Sequence, residues 1–356
     1  MSGPVLIMAG GTGGHVYPGL AVAARLQAHG TPVVWLGTRT GLEARLVVQA
    51  GIPIEHIEVS GLRGRGVVGW LLAPLTLLRA VWQAVRIIRR VRPAAVLGMG
   101  GFASGPGGVA AWLLRRPLLI HEQNAVAGLT NRWLARLADR VYQAFPQTLP
   151  GGETVGNPVR EAITALPPPG ERLVGSGPLR LLVVGGSLGA VALNEAVPAA
   201  LAQLPAEQRP HVVHQAGRGK QAACAERYRT LGVEAQVVEF IETMPAAYAE
   251  ADLVVCRAGA LTVSELAAAG LAAVLVPYPH AVDDHQRHNA RWLVEAGGAE
   301  LLLQTELADG LVGVLQRLLT GGREGLRAMA ERARAVAVTD AAEQVANGCL
   351  AAGRVA

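Results

Sequence analysis

The sequence predicts an α/β protein built from two doubly wound domains, each with a parallel sheet covered by helices on both faces. Short apolar runs end in glycine, and a helix-like stretch follows each run. Uninterrupted runs of this kind are typical of strands buried on both faces. The pattern restarts after Pro158, and 356 residues with 51% hydrophobic content are enough for two domains of the usual ~100–200 residues. Predicted strands cover residues 5–8, 33–36, 94–97, 118–120, 181–184, 212–214 and 253–256, and a further apolar strand ends at Pro277.

The boundary between the domains is predicted at the turn-rich tripeptide Gly156-Asn157-Pro158. We therefore assign residues 1–157 to an N-terminal domain and residues 158–338 to a C-terminal domain. Ligands of doubly wound sheets bind beyond the carboxyl ends of the strands. We expect the functional site to lie there, in a cleft between two facing domains.

Composition excludes several classes of protein. Only 17% of the residues are charged, which excludes a disordered chain. Cys224, Cys256 and Cys349 are odd in number and lie in apolar or helical segments, so reduced thiols are expected. The start of the chain lacks the basic region of a signal peptide, and no apolar span is long enough for a transmembrane helix. A cytoplasmic protein without a nucleic-acid-binding module is therefore expected.

The charge balance is unusual. The formal net charge is +5, and only Lys220 among the 32 basic residues is a lysine. One interpretation of arginine in this proportion is a compositional bias of the genome. The alternative is a surface that meets anions such as phosphate groups or acidic lipid.

Three glycine-rich loops follow predicted strands, at residues 10–15, 98–101 and 185–190. Backbone N–H groups in such loops, together with the helix N-terminus that follows, favour a phosphate-bearing ligand. The dinucleotide fingerprint fails at the first loop, where Val16 replaces the third glycine, and Gln221 breaks a Walker motif. A nucleotide-sugar enzyme remains open.

A second signal lies between residues 256 and 290. Thr262 and Ser264 are predicted to cap a helix, with Glu265 in its first turn. Free N–H groups at residues 260–263 would hold a diphosphate while Glu265 accepts hydrogen bonds from the ribose hydroxyls. A polar run at residues 283–289 would read a sugar.

Metal binding is the competing interpretation of this polar run. Its candidate ligands are His280, Asp284, His285 and His288. No remote cluster of ligands completes such a site, so we expect no metal.

Residues 61–93 combine an apolar stripe with arginines. The stripe repeats at helical spacing, and we expect part of it to pack on the first sheet and the rest, with Trp112 as a neighbour, to be exposed. An apolar stripe flanked by arginines is typical of a helix that lies on anionic lipid. The stripe contains Leu75, Leu78, Trp82 and Val85, and the interleaved arginines are Arg79, Arg86, Arg89, Arg90 and Arg92.

Seven segments occur in a fixed order between Met8 and about Asn289. They are GGTGGHVYPGLAVA, GMGGFASGPGG, HEQNAVAGLTN, VGNPVR, VVGGSLGA, RAGALTVSELAAAG and DDHQRHNA. In this order they resemble the signature segments of the MurG family, within glycosyltransferase family 28. Seven segments in register are far more specific than any single glycine loop.

The resemblance implies a GT-B fold of two Rossmann-like domains, with a C-terminal helix at about residues 339–356 returning to the first domain. It also implies an inverting transfer of N-acetylglucosamine (GlcNAc) from UDP-GlcNAc to the 4-hydroxyl of the N-acetylmuramoyl (MurNAc) sugar of lipid I. Lipid I is undecaprenyl-pyrophosphoryl-MurNAc-pentapeptide, and the product is lipid II of peptidoglycan synthesis. No cofactor is expected. The implied location is peripheral, on the cytoplasmic face of the inner membrane, with anionic lipid and other cell-wall synthesis proteins as partners.

The resemblance also places the contacts of UDP-GlcNAc. One departure concerns residues 280–289, which are one residue longer than the family pattern and leave open whether Gln286 or His285 reads the sugar. The implied contacts are Thr12, Gly13, Gly14, Asn124, Arg160, Ser187, Ile241, Ala260, Leu261, Thr262, Val263, Ser264, Glu265 and Gln286.

Displacement at the anomeric carbon needs a base for the acceptor hydroxyl, and His15 is the predicted base, with Glu122 as the alternative. N–H groups near Thr262 and Val263, helped by Ser187, would stabilise the leaving UDP. Two other functions remain open at this point. One is a GT-B enzyme that uses a UDP-sugar on a different lipid or natural-product acceptor, and the other is a non-catalytic nucleotide-sugar or lipid-surface binding protein.

Overall fold

The computed structural model describes residues 3–59, 67–186 and 189–355, without the side chains of residues 67–72 and 355. The chain divides into two compact units. Unit 1 comprises Met1–Arg160 and Val338–Ala356, and unit 2 comprises Glu161–Ala337. The sequence prediction places the boundaries after residues 157 and 338.

Unit 1 contains a seven-stranded sheet in the order β3-β2-β1-β4-β5-β6-β7, with every neighbouring pair parallel. Its strands are β1 (Val5–Met8), β2 (Val33–Gly37), β3 (Ile54–His56), β4 (Ala95–Gly98), β5 (Leu118–Glu122), β6 (Arg140–Gln143) and β7 (Glu153–Thr154). Its helices are α1 (Gly13–Ala28), α2 (Glu43–Gln49), α3 (Val67–Val91), α4 (Ser104–Leu113), α5 (Leu129–Leu134) and, from the end of the chain, α15 (Ala341–Val355).

The strand order places the switch point of unit 1 between β1 and β4, where connections leave in opposite directions. The loops after these two strands are in close contact. A Cβ atom at Gly101 would lie 2.2 Å from the carbonyl oxygen of Gly10, and Gly101 has a φ of +81°. Only glycine fits both constraints. The first two glycine-rich loops therefore meet at the point where a doubly wound sheet binds its ligands.

The C-terminal helix α15 belongs to unit 1, where it packs on α1 and β4. Val345, Ala346 and Cys349 are buried in the same core cluster as β1. Burial raises the pKa of the Cys349 thiol to about 12. The last helix thus completes one face of the first sheet.

Unit 2 contains a six-stranded sheet in the order β10-β9-β8-β11-β12-β13, again with every pair parallel. Its strands are β8 (Arg180–Val184), β9 (His211–Gln215), β10 (Gln236–Val238), β11 (Leu253–Cys256), β12 (Ala272–Leu275) and β13 (Ala299–Leu301). Its helices are α6 (Glu161–Thr164), α7 (Pro169–Arg172), α8 (Val191–Ala202), α9 (Gln221–Thr230), α10 (Met244–Glu250), α11 (Ala260–Ala269), α12 (His285–Glu295), α13 (Leu307–Thr320) and α14 (Gly322–Ala335). Short 3-10 helices cover Ala206–Gln208, Val282–Asp284 and Gln304–Glu306.

The predicted class, two doubly wound α/β domains with parallel sheets, is confirmed. The apolar runs of the central strands indicated them correctly, since β1, β4, β8 and β11 are buried along nearly their whole length. Strands nearer the sheet edges were missed because they are short or carry polar residues. These are β3, β6, β7, β10 and β13.

The described helices include none that is long and apolar enough to cross a bilayer.

Candidate active site

The first glycine-rich loop is shorter than predicted, because α1 already begins at Gly13. Thr12 is the N-cap residue, and its carbonyl oxygen accepts hydrogen bonds from the N–H groups of His15, at 3.1 Å, and Val16, at 3.2 Å. Gly13 and Gly14 lie in the first turn, where N–H groups have no intrahelical carbonyl partner. The predicted anion-binding loop is thus mainly a helix N-terminus.

Glu43, at the start of α2, is a residue that the sequence did not indicate. Its buried carboxylate accepts hydrogen bonds from the N–H of Gly11 (3.1 Å), the N–H of Thr38 (2.9 Å) and the hydroxyl of Thr38 (2.7 Å). A Cβ atom at Gly10 or Gly37 would lie 2.7 Å from a Glu43 side-chain atom. The loop after β1 therefore binds a carboxylate of the protein itself.

The ring of His15 lies between this loop and the second glycine-rich loop. Its Nδ1 is 3.2 Å from the hydroxyl oxygen of Thr12. A Cβ atom at Gly100, where φ is +88°, would lie 2.8 Å from Cδ2 and 3.0 Å from Nε2 of His15. Glycine at position 100 thus leaves the space that the half-buried imidazole occupies.

Glu122, at the end of β5, holds the loop that follows it. Its Oε1 accepts hydrogen bonds from the backbone N–H (2.9 Å) and Nδ2 (3.2 Å) of Asn124. Its Oε2 accepts from the N–H of Gly128 (3.1 Å) and Nδ2 of Asn131 (2.9 Å). A carboxylate offers about four lone-pair positions, and all are used here. This geometry favours a positioning role over the alternative role as base.

Two further contacts shape this region of unit 1. The guanidinium of Arg160 lies over the ring of Tyr17, 5.4 Å from its centroid, on α1. Nε2 of His121 contacts the carbonyl oxygen of Gly156 at 2.9 Å, and burial lowers the pKa of His121 to about 4. The imidazole is therefore neutral near pH 7 and donates through Nε2 to that carbonyl.

The third glycine-rich loop follows β8. Ser187, which the resemblance places at UDP-GlcNAc, lies outside the described residues. Gly189 closely approaches the residue that follows β9, since a Cβ there would lie 2.0 Å from the carbonyl oxygen of Ala216, and φ is +70°. The same carbonyl accepts a hydrogen bond from Nδ2 of Asn194, at 3.0 Å.

Helix α11 begins at Ala260 with Gly259 as its N-cap, so the prediction that Thr262 and Ser264 cap the helix is wrong. The prediction of Glu265 in the first turn is also wrong. Glu265 lies in the second turn, buried, where the hydroxyl of Tyr248 donates to its Oε2 at 3.3 Å. Glycine can be the N-cap of a helix without a side-chain hydrogen bond. The sequence pattern therefore does not show that this helix begins after Gly259.

The first turn of α11 also narrows the predicted diphosphate site. The N–H of Val263 donates to the carbonyl oxygen of Gly259 at 2.9 Å, so it is not free as predicted. Leu261 and Thr262 precede this first helical bond, and their N–H groups have no carbonyl four residues earlier within the helix. These two groups are the first-turn donors best suited to an anion.

Ile241 lies on a groove of unit 2 between α10 and the strands β8, β9 and β10. The groove has a volume of about 330 Å³ and is lined mainly by apolar side chains, among them Leu182, Val238 and Phe240. The groove also reaches Arg180, His211 and Gln236, the first residues of these strands, so it follows the face of the sheet and is not confined to the carboxyl ends where a ligand is expected.

Side chains of the polar run before and within α12 form hydrogen bonds with nearby backbone groups. Oε1 of Gln286 accepts a hydrogen bond from the N–H of Tyr278 (2.9 Å), and Nδ1 of His285 donates to the carbonyl oxygen of Val282 (2.7 Å). Asp283 and Asp284 have φ values of +52° and +50°. Both candidate sugar-reading side chains are thus oriented by a tight turn.

The competing metal interpretation gains no support from the part of the chain that the structure describes. No group of three or more His, Cys, Asp or Glu side chains there is arranged to hold a metal ion.

Helix α3 exposes the predicted apolar stripe. Leu75, Leu78 and Trp82 are exposed, and the guanidinium of Arg86 lies 4.7 Å from the centroid of the Trp82 ring. Val85 is half-buried. The core is instead contacted by a second face of small and branched residues, which contains Ala73, Ala80, Ala84, Ile87 and Ile88.

The arginines of α3 are not equivalent. Arg79 pairs with Glu58 at 2.7 Å, and Arg90 pairs with Glu55 at 2.5 Å. Exposed pairs of this kind are weak, but they neutralise part of the predicted positive charge. Arg89 is exposed and, like Arg86, adds positive charge beside the stripe. Other exposed apolar side chains of unit 1 include Trp112, Leu113, Leu129 and Trp133.

Comparison with known proteins identifies relatives over the whole chain. Residues 5–143 match the glycosyltransferase family 28 N-terminal domain, and residues 180–345 match the glycosyltransferase family 28 C-terminal domain. The chain is 60% identical, over 99% of its length and 100% of the relative, to the UDP-N-acetylglucosamine–N-acetylmuramyl-(pentapeptide) pyrophosphoryl-undecaprenol N-acetylglucosamine transferase of Alkalilimnicola ehrlichii. It is 58% identical to the protein of the same name from Chromohalobacter salexigens, over 98% of this chain and 97% of the relative.

A solved structure agrees with this result. The crystal structure of Acinetobacter baumannii MurG matches with a TM-score of 0.84 and 44% sequence identity. The match covers 98% of this chain and 99% of that chain.

The role of Glu43 can be tested by amide hydrogen exchange. Gly11 is exposed and Thr38 is half-buried, so replacing Glu43 by alanine removes the acceptor of both N–H groups and leaves them to water. We expect both amides to exchange faster in Glu43→Ala, as measured by NMR. The control is Glu153→Ala, at an exposed carboxylate of β7, which should leave both rates unchanged. Unchanged protection of Gly11 in Glu43→Ala would contradict this role.

Proposed function

Because the chain belongs to glycosyltransferase family 28, we propose that it transfers GlcNAc from UDP-GlcNAc to the muramoyl 4-hydroxyl of lipid I, which forms lipid II. The observation that carries this function is the identity of 60% with the Alkalilimnicola ehrlichii transferase over 99% of this chain and 100% of the relative. The predicted GT-B class is confirmed by the match to Acinetobacter baumannii MurG. The enzyme is a hexosyltransferase of peptidoglycan synthesis.

The reaction is a displacement with inversion at the anomeric carbon. The acceptor oxygen forms a bond to C1 of GlcNAc, the bond from C1 to the diphosphate oxygen breaks, and UDP leaves with the bonding electrons. A base takes the proton of the 4-hydroxyl, a contribution of about 10²–10⁴ in rate. Two elements of chemistry are thus required of the chain, a base and a site for the leaving diphosphate.

We assign the base to His15. Its imidazole is half-buried at the switch point of unit 1, between two glycine-rich loops. Glu122 is the weaker candidate because both of its oxygens already accept two hydrogen bonds each. Histidine also titrates in the pH range where the base must lose its proton.

The leaving diphosphate is assigned to the N-terminus of α11. The N–H groups of Leu261 and Thr262, together with the positive end of the helix dipole, stabilise the charge that develops on UDP. Ile241 is assigned to the uracil, as the family resemblance implies. The remaining assigned contacts are Ala260, Val263, Ser264, Glu265, Gln286 and Ser187 of unit 2, and Thr12, Gly13, Gly14, Asn124 and Arg160 of unit 1.

The base assignment predicts a large loss of transfer in His15→Ala. With labelled UDP-GlcNAc and a lipid I analogue, we expect kcat/KM to fall by about 10²–10⁴. The control is His29→Ala, at the other end of α1, where the imidazole forms an exposed pair with Glu343 at 2.6 Å. Transfer by His29→Ala should match the wild type. Unimpaired transfer by His15→Ala would remove His15 as the base, and no transfer by the wild type would remove the function itself.

The lipid substrate requires that the enzyme reach a membrane, and we assign this contact to the exposed face of α3. Leu75, Leu78 and Trp82 provide apolar side chains, and Arg86 and Arg89 provide positive charge beside them. Apolar burial at the lipid interface and about 1 kcal/mol per basic residue near an anionic surface act together. We therefore place the protein peripherally on the cytoplasmic face of the inner membrane, with other cell-wall synthesis proteins as further partners.

The membrane contact predicts a specific loss in the double variant Leu75→Glu/Leu78→Glu. Binding to vesicles rich in anionic lipid should fall at least tenfold in a sedimentation assay, because two charges enter an apolar face. Val48→Glu is the control, since Val48 is 59% exposed on α2, away from the stripe. Wild-type binding that does not respond to anionic lipid or to salt would contradict the assignment.

A further inference from the structure

A chain of hydrogen bonds runs from the carbonyl group of Gly156 through the imidazole of His121 to the side chain of Gln123. Nε2 of His121 donates to the carbonyl oxygen of Gly156 (2.9 Å). Burial lowers the pKa of His121 to about 4, so this imidazole carries one proton near neutral pH, on Nε2. Its Nδ1 is then an acceptor and faces Nε2 of Gln123 at 3.2 Å.

The amide of Gln123 is oriented by these contacts. Its Nε2 also donates to the carbonyl oxygen of His121, at 3.1 Å. Both amide hydrogens are therefore used. If the amide of Gln123 were flipped, its Oε1 would face two acceptors, the carbonyl oxygen and Nδ1 of His121. These contacts therefore fix the orientation of the amide.

The remaining atom of this amide, Oε1, has no hydrogen-bond donor among the described residues. Gln123 is 1% exposed, and a buried acceptor without a partner is costly. Such an atom in a native protein calls for an explanation. It lies 3.5 Å from the position of a Cβ at Gly100, and Nε2 of His15 lies 3.0 Å from the same position. The unsatisfied oxygen of Gln123 and Nε2 of His15 therefore lie near each other, on either side of the space left by Gly100.

We infer that Gln123 is the positioning residue of His15: its Oε1 accepts the Nε2–H of the His15 imidazole, which leaves Nδ1 to take the proton of the acceptor hydroxyl. The inference rests on the proposed function, in which His15 is the base. Catalytic hydrogen bonds are often long in a free enzyme and shorten when substrate binds.

This arrangement explains two features of the site. Nδ1 of His15 faces the exposed Thr12 hydroxyl at 3.2 Å, which is the side open to a substrate, whereas Nε2 faces the interior. After proton transfer, the imidazolium carries a proton on each nitrogen, and Oε1 of Gln123 stabilises the inner one. A base held by a second polar group is a general arrangement in proton-transfer sites.

Nitrogen-15 NMR of labelled histidine tests the inference without substrate, with the His15 signals assigned by comparison with His15→Ala. In the wild type, neutral His15 should carry its proton on Nε2. In Gln123→Met the titration midpoint of His15 should fall by about one pH unit, because a hydrogen bond to the imidazolium is lost. In Gln123→Glu, where the acceptor is charged, the midpoint should rise. The acid limb of kcat/KM should move in the same directions.

Gln143→Met is the matched control. Gln143 is a buried glutamine of the same unit, and its amide is fully engaged with the N–H of Leu149 (2.8 Å), the carbonyl oxygen of Gly152 (3.1 Å) and the hydroxyl of Thr154 (3.0 Å). Its replacement should lower stability and leave the His15 midpoint unchanged.

A neutral wild-type His15 with its proton on Nδ1 would overturn the inference, as would midpoints that do not differ between the Gln123 variants and the wild type. If Gln123→Met does not fold, the wild-type tautomer and Gln123→Glu still decide. Failure of the proposed function would show differently, as the absence of transfer by the wild type.

Discussion

Two buried carboxylates hold the loops on which the first unit depends. Parallel strands end in loops whose N–H groups need acceptors, and buried N–H groups without them are rare. Glu43 supplies the acceptor for the loop after β1 and for Thr38 after β2. Glu122 supplies it for the loop after β5. Both side chains bind backbone N–H groups of the protein itself beyond the carboxyl ends of the strands, where a ligand is expected.

These internal contacts divide the polar residues of the site into two groups. The carboxylate oxygens of Glu43 and Glu122 accept hydrogen bonds from neighbouring loops and hold those loops in place. His15 and the first-turn N–H groups of α1 and α11 remain as the groups suited to chemistry. The second glycine-rich loop contributes space to this site and no side chain. A Cβ atom at Gly100 would collide with the imidazole of His15.

Much of this was predictable from sequence, for physical reasons. Strands buried on both faces are continuously apolar, so β1, β4, β8 and β11 were recognised, and the motifs at their carboxyl ends pointed to the family. Glu43 was missed because its donors lie in two separate loops, which only the fold brings together. The start of α11 was misplaced because a glycine N-cap leaves no side-chain signature. Edge strands such as β7, with two exposed polar residues, have no hydrophobic pattern to detect.

The central claim is that Glu122 positions a loop while a different group, His15, takes the proton. The pH dependence of kcat/KM in Glu122→Gln tests it most directly. Glutamine preserves the size of the side chain but cannot be the base, and it keeps only one acceptor oxygen for the four donors. The account predicts a lower kcat/KM with the acid limb at the same pH as in the wild type. An acid limb that disappears in Glu122→Gln would contradict it and make the carboxylate the base.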